Sequence, residues 1–297
     1  MISFENVSKF ILSDVNIHIP DGITVGLIGA TGSGKTTLIK LICGLLEPDR
    51  GNVCVMGNEP VSMLGKKNND MGVLFAHLPM LKAEETVREN FQSLRVIYRT
   101  KSFDISYERL SKELGFADFQ NVKVSSLSLG QRRRAELGAV LIHNPRLLLL
   151  DEPTVGLDQS GKETVRRIIG DRAAAGLTTV VTSHDMADIS DVCDRICILD
   201  KGRICYYGNR ETLFKRYAPV DIMYLTLQDK IPDMEDLPVI SYHIDGDKLK
   251  LIYNSNHISS AEILKVILPK CSVKEVSIHK PNLADAIMKI ERGIADE

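Results

Sequence analysis

The chain has 297 residues and a mass of 33.0 kDa, enough for one large domain or two of ordinary size. Its 44% hydrophobic and 26% charged residues match ordinary globular usage, which excludes a disordered chain, a collagen-like repeat and a disulfide-dense mini-protein. With 37 basic against 39 acidic residues the formal charge is −2, so no broad basic surface invites nucleic acid or anionic lipid.

Residues 1–7 and 15–19 alternate apolar and polar side chains as half-buried strands do, and Pro20-Asp21-Gly22 supplies the turn that follows. That predicts a small antiparallel piece at the start. Residues 24–28 read as a short buried strand, 29–34 as a glycine-rich turn, and 36–46 as a helix with apolar Leu38, Ile39, Leu41, Ile42 and Leu45. A polar stretch over 65–70 precedes a strand at 72–75. Helical patterning over roughly 84–114 then predicts an inserted helical subdomain, about residues 78–140 in all.

Helical spacing resumes over 131–143, and Leu147-Leu148-Leu149-Leu150 follow as a fully buried strand ending in Asp151-Glu152-Pro153. A helix over about 162–175 and a strand over 178–182 complete an alternation that predicts a parallel sheet covered by helices. Beyond about residue 217 the character changes. Short strands read at 223–227, 239–244 and 249–253, the last two joined across Asp245-Gly246 as a hairpin. Ser259-Ser260-Ala261-Glu262 is a capping box for a short helix, and a strand (273–278) and a helix (about 282–290) follow. The expected division is residues 1–217 and a smaller α+β domain over 218–297.

The six cysteines contain no Cys-x-x-Cys pair and read as reduced, mostly buried thiols. The longest apolar runs fall far short of the roughly 18 residues that a membrane span needs. The N-terminal residues lack a basic region followed by an apolar core, so the expected location is the cytoplasm.

Gly29-Ala30-Thr31-Gly32-Ser33-Gly34-Lys35-Thr36, followed by Thr37, fits G-x-x-x-x-G-K-S/T and lies between a predicted strand and a predicted helix, the context that gives this motif its meaning. The glycines let successive N–H groups point inward, and the helix N-terminus adds its positive dipole end, so together they bind phosphates. Lys35 would reach the β- and γ-phosphates of a nucleotide, and the Thr36 hydroxyl would ligate Mg²⁺. The fold class expected is therefore α/β with a P-loop NTPase core. No Asn-Lys-x-Asp motif accompanies the loop, which disfavours a GTPase.

The run ending in Asp151-Glu152 has the form of a Walker B strand, in which Asp151 holds Mg²⁺ and Glu152 orients or deprotonates the attacking water. Upstream lies Leu127-Ser128-Leu129-Gly130-Gln131, and downstream come Gly156-Leu157-Asp158 and Thr182-Ser183-His184. In this set and order the sequence resembles the nucleotide-binding subunit of an ABC transporter across about residues 1–215. The resemblance implies that Ser128, Gly130 and Gln131 cap the γ-phosphate of an ATP held by the phosphate loop of a second subunit. It also implies that Asp158 lies at the dimer interface, that His184 contacts the γ-phosphate, and that Phe10 stacks on adenine. The run Arg132-Arg133-Arg134 reads as a solvated helix face, with the support of the phosphate cap by one member as the alternative.

Two positions depart from the family pattern. Leu129 stands where a glycine is usual, which costs nothing if its φ is negative. The strand at 71–75 should be followed by a Gln that contacts Mg²⁺. Counting forward from the strand puts Ala76 there, whereas counting back from Thr86-Val87-Arg88-Glu89-Asn90 puts His77 there.

The resemblance implies ATP and Mg²⁺ as cofactors, a membrane permease on a separate chain, and a homodimer or a heterodimer with a second ABC ATPase. The protein would sit on the cytoplasmic face of the membrane through its permease, with no direct nucleic acid partner. The segment from Val276 to Ile287, with Pro281, Leu283 and Asp285, is similar to the ending of ATPase subunits that export drugs and polymers, so an exporter leads. A soluble ABC ATPase of translation, cluster assembly or DNA maintenance is the alternative.

Overall fold

The computed structural model describes residues 1–63, 70–99, 102–183, 191–217, 220–228 and 239–279. Alternating apolar residues give β1 (Ile2–Lys9) and β2 (Leu12–Ile19), an antiparallel pair as expected. The other edge of β1 pairs with β4 (Arg50–Val55), which the sequence did not disclose because its first three residues are exposed.

A six-stranded sheet carries the order β5–β6–β7–β3–β8–β9. Its members are β3 (Thr24–Ile28), β5 (Met71–Leu74), β6 (Leu147–Asp151), β7 (Thr178–Ser183), β8 (Arg195–Asp200) and β9 (Arg203–Gly208). All neighbours are parallel except β9, which runs antiparallel along β8. Strands β3, β6 and β7 are buried at every residue, as strands in a sheet covered on both faces must be. The order β6–β7–β3 sets the carboxyl ends of three strands distant in sequence side by side, the usual place for a ligand in such a sheet.

Helix α1 (Lys35–Ile42) is shorter than the predicted 36–46. It buries Leu38, Ile39, Leu41 and Ile42, each contributing about 2 kcal/mol by removal from water, and so anchors the loop before it. The helical stretch expected over 84–114 divides in two, α2 (Val87–Tyr98) and α3 (Phe103–Glu113), because Arg99 takes up φ 51 and ends the first. Thr86 and Glu89 form a capping box at the start of α2. Phe91, Tyr107 and Phe116 make an aromatic cluster with centroids 5.0 to 5.8 Å apart, against which α4 (Leu129–Leu141) packs through Gly138. Gly72 in β5 lets α4 approach closely, since a Cβ there would lie 2.8 Å from Val140 Cγ1 and 2.9 Å from the Val140 carbonyl. Helix α5 (Gln159–Ala174) connects β6 to β7.

The chain separates into compact units Met1–Gly208 and Asn209–Glu297, so the boundary falls at 208/209 and not at 217/218. The difference is α6 (Arg210–Tyr217), which sequence patterning placed with the first unit. In the second unit its Lys215 carbonyl accepts a hydrogen bond from Asn256 Nδ2. This unit has an antiparallel sheet ordered β11 (Ser241–Asp245), β12 (Lys248–Asn254), β10 (Val220–Leu227) and β13 (Val273–His279). Helix α7 (Ser260–Ile267), opened by the predicted Ser259–Glu262 capping box, buries Ile263 and Ile267 in a core with Met223, Leu225, Leu251 and Tyr253. The expected helix over 282–290, with Pro281, Leu283 and Asp285, lies outside the described residues.

Candidate functional site

The loop between β3 and α1 turns through Gly32 (φ 83) and Gly34 (φ 111), left-handed conformations that a side chain resists. Ala30, Thr31 and Gly32 form its exposed rim, and nothing lies within 4 Å of where a Cβ on Gly32 would stand. Lys35, 8% exposed, folds its amine back over the loop and donates to the carbonyls of Gly29 (2.6 Å) and Ala30 (3.0 Å). Burial pulls the Lys35 amine below the ordinary lysine range, while the Glu152 and Asp151 carboxylates draw it back. The Ser33 hydroxyl is buried without a hydrogen-bond partner among the described residues. A cationic amine, a helix N-terminus and an unpartnered buried hydroxyl form a cradle that fits phosphate groups.

Asp151 ends β6 and is 2% exposed. Its Oδ2 accepts from Thr36 Oγ1 at 3.0 Å, and its Oδ1 accepts from Thr182 Oγ1 at 2.8 Å. Sheet register sets up the second contact, because Asp151 and Thr182 are partners across β6 and β7. The same Thr182 oxygen accepts the Glu152 N–H at 2.9 Å. Glu152 itself adopts φ 51, turning the chain sharply after β6. Thr36 and Asp151 thus bring a hydroxyl and a carboxylate together beside the phosphate cradle, a hard-oxygen donor set that suits Mg²⁺.

Ser128 caps α4, its Oγ accepting the Gln131 N–H at 3.2 Å while Gln131 Oε1 accepts the Ser128 N–H at 3.0 Å. Leu129 is the first residue of the helix and lies outside the positive-φ region, so its side chain costs no backbone strain. Gly130 is required for space: a Cβ would sit 2.7 Å from the Gly156 carbonyl oxygen. Asp158 caps α5 through the Gly161 N–H (2.9 Å) and pairs with Arg134 (2.6 Å). These bonds, the Gly161 one foremost, hold its carboxyl below the ordinary range.

The expectation of a solvated arginine face is corrected by the structure. Arg133 is 4% exposed and bonds three backbone carbonyls, so it is a core residue of the site. A signal was available, since Arg133 shares the helical spacing of Leu137 and Val140, both buried.

Phe10 stands exposed in the β1–β2 turn with the Lys9 amine 5.0 Å from its ring centre, a position open to a flat ligand and not a core one. Ala76 and His77 border a groove of about 280 Å³ shared with Leu129, Arg133, Glu136 and Val155. His77 is exposed there and takes no part in the Thr36–Asp151–Thr182 chain of hydrogen bonds. His184 follows β7 and lies outside the described residues.

Residues 12–155 match the family model described as ABC transporter. The chain is 32% identical over 226 residues to the ABC transporter ATP-binding protein NatA of Bacillus subtilis, a match covering 75% of this chain and 92% of NatA. The chain belongs to the ATP-binding subunits of ABC transporters. Other relatives differ in the direction their names give. The Nod factor export ATP-binding protein I of Burkholderia lata is 29% identical over 97% of this chain and 96% of its own length. The methionine import ATP-binding protein MetN of Clostridioides difficile is 32% identical over 73% of this chain and 71% of its own. A solved ATP-binding cassette, a dimer in a post-hydrolysis state bound to ADP and Pi, superposes with a TM-score of 0.62 at 27% identity, covering 70% of this chain and 98% of that one. As a family member this protein binds and hydrolyses ATP, and the predicted α/β P-loop fold is borne out. Among the described residues no helix is long and apolar enough to cross a membrane.

Proposed function

We propose that this chain is the motor of an exporter, hydrolysing ATP on the cytoplasmic face of a membrane to drive a permease carried on a separate chain. The carrying observation is the hydrogen-bonded line Thr36–Asp151–Thr182, which puts the end of β6 and the Glu152 that follows it beside the phosphate cradle. Export is favoured because the match to the Nod factor export relative runs through the second unit, over 97% of the chain.

In this reading Lys35 and the N–H groups of residues 29–37 bind the phosphates, and Phe10 stacks on adenine. Thr36 and Asp151 would hold Mg²⁺, which supplies positive charge to offset that of the phosphates, and either Ala76 or His77 takes the place of the family's Gln. Glu152 takes the proton of the attacking water, and His184 touches the γ-phosphate. Ser128, Gly130 and Gln131 present the N-terminus of α4 to the nucleotide of a second cassette, with Asp158 at the interface, so the working unit is a homodimer or a heterodimer. Closing and reopening of the two cassettes would move the permease.

Glu152→Gln tests the chemistry. It should lower turnover by about 10² or more while ATP affinity is kept and an ATP-dependent dimer accumulates. Turnover near wild type would remove Glu152 from its role. Purification from native membranes in mild detergent tests the coupling: a stoichiometric multi-span partner is expected, and recovery of soluble partners alone would overturn it.

A further inference from the structure

Arg133 lies in the second turn of α4, two residues beyond Gln131, and is buried. Its Nη1 donates to the Phe75 carbonyl at 2.8 Å, and its Nη2 donates to the Asp151 carbonyl at 2.7 Å and the Glu152 carbonyl at 2.8 Å. Glu136, one turn along the helix, stands 3.5 Å from the same guanidinium. The three acceptors belong to two chain ends. Phe75 follows β5 and directly precedes Ala76, Asp151 closes β6 and Glu152 follows it.

The left-handed turn at Glu152 (φ 51) is one that residues other than glycine adopt only when held. Two side chains hold it from opposite sides. The Thr182 hydroxyl takes the Glu152 N–H, and Arg133 takes the carbonyls of Asp151 and Glu152. A planar guanidinium spreads its donors in a fixed fork that can serve three carbonyls together; an ammonium holds its donors on one nitrogen at the end of a flexible stem. Arg133 rides on the helix whose cap is Ser128, so its bonds join α4 to the backbone that carries Glu152.

We propose that Arg133 is a positioning residue for hydrolysis: it locks the Glu152 turn, and through α4 and the end of β5 it ties the aim of that carboxylate to the helical subdomain. This rests on the reading of Glu152 as the group that takes the proton from water. The guanidinium bonds the protein's own carbonyls and Glu136, so its removal should slow chemistry and spare binding.

The test compares wild type, R133K, R133M, E152Q and the double variant R133M/E152Q for steady-state and single-turnover ATP hydrolysis and for binding of a fluorescent ATP analogue. In R133M, kcat should fall by about tenfold or more with KM and analogue affinity within about twofold, and R133K should fall between R133M and wild type. In the E152Q background R133M should add nothing to the loss, because the two residues act through one step. Wild-type kcat in R133M, an equal loss of analogue binding, or a further multiplied loss in the double variant would overturn the proposal. Should R133M fail to fold by circular dichroism, R133K decides: a kcat equal to wild type overturns it. An active E152Q would instead bring down the reading of Glu152, whereas an inactive E152Q beside a fully active R133M would bring down Arg133 alone.

Discussion

Thr182 shows how much of the site's order hangs on one hydroxyl. It is 0% exposed, donates to Asp151 Oδ1 at 2.8 Å and accepts the Glu152 N–H at 2.9 Å. Thr182→Val keeps size and shape and leaves no cavity, so only the two hydrogen bonds are lost. The stranded Glu152 N–H should cost about 1 kcal/mol and the stripped Asp151 carboxylate about 2 to 3 kcal/mol. The methyl that replaces the hydroxyl returns at most about 1 kcal/mol. A net destabilisation of about 2 to 3 kcal/mol follows. Thr182→Ser keeps both bonds and removes one buried methyl, which costs about 1 kcal/mol. Serine should therefore be tolerated better than valine, the reverse of what strand propensity and apolar burial dictate for a buried strand position. Urea-unfolding midpoints of the three proteins, measured without nucleotide, decide it. Thr182→Val as stable as Thr182→Ser would refute the hydrogen-bond account.

Gly130→Ala would push a Cβ to 2.7 Å from the Gly156 carbonyl, a backbone atom with no rotamer to yield. Overpacking there should cost about 1 to 3 kcal/mol and separate the start of α4 from the loop bearing Asp158, so ATPase activity should drop while analogue binding at the phosphate loop persists. Full activity would refute the steric reading. His143 predicts a pH dependence. Its ring stacks on Tyr98 at 4.0 Å, its Nε2 donates to the Met71 carbonyl at 3.1 Å, and burial holds its pKa below the ordinary 6.5. The unfolded chain takes up this proton first, so stability should fall as pH drops through the window below 6.5. Between about pH 7.5 and about pH 5.5, wild type should lose more unfolding free energy than His143→Gln, and equal losses would count against it.

Local chemistry was legible where one stretch of chain fixes its own conformation. The bounds of β3 match the reading residue for residue, since a continuous apolar run meets a glycine turn. The predicted capping box at Ser259 closes within three residues. Strands β4 and β9 escaped because their pattern is largely exposed or half-buried, and β4 and β8 take their places by pairing with strands distant in sequence, β1 and β3.

The sequence by itself determined the phosphate loop and the acids at the end of the leucine run, because spacing along one strand–turn–helix dictates which groups turn inward. It did not determine what Arg133 does. Helical spacing with Leu137 and Val140 marks Arg133 for burial, but its acceptors lie 58, 18 and 19 residues away and no local pattern names them. Only the sheet order β6–β7–β3, with β5 on the flank, brings Thr36, Asp151, Thr182 and those carbonyls within hydrogen-bond reach. Hydrogen bonds act over about 3 Å, and contacts between residues so far apart in the chain exist only once the tertiary fold has closed.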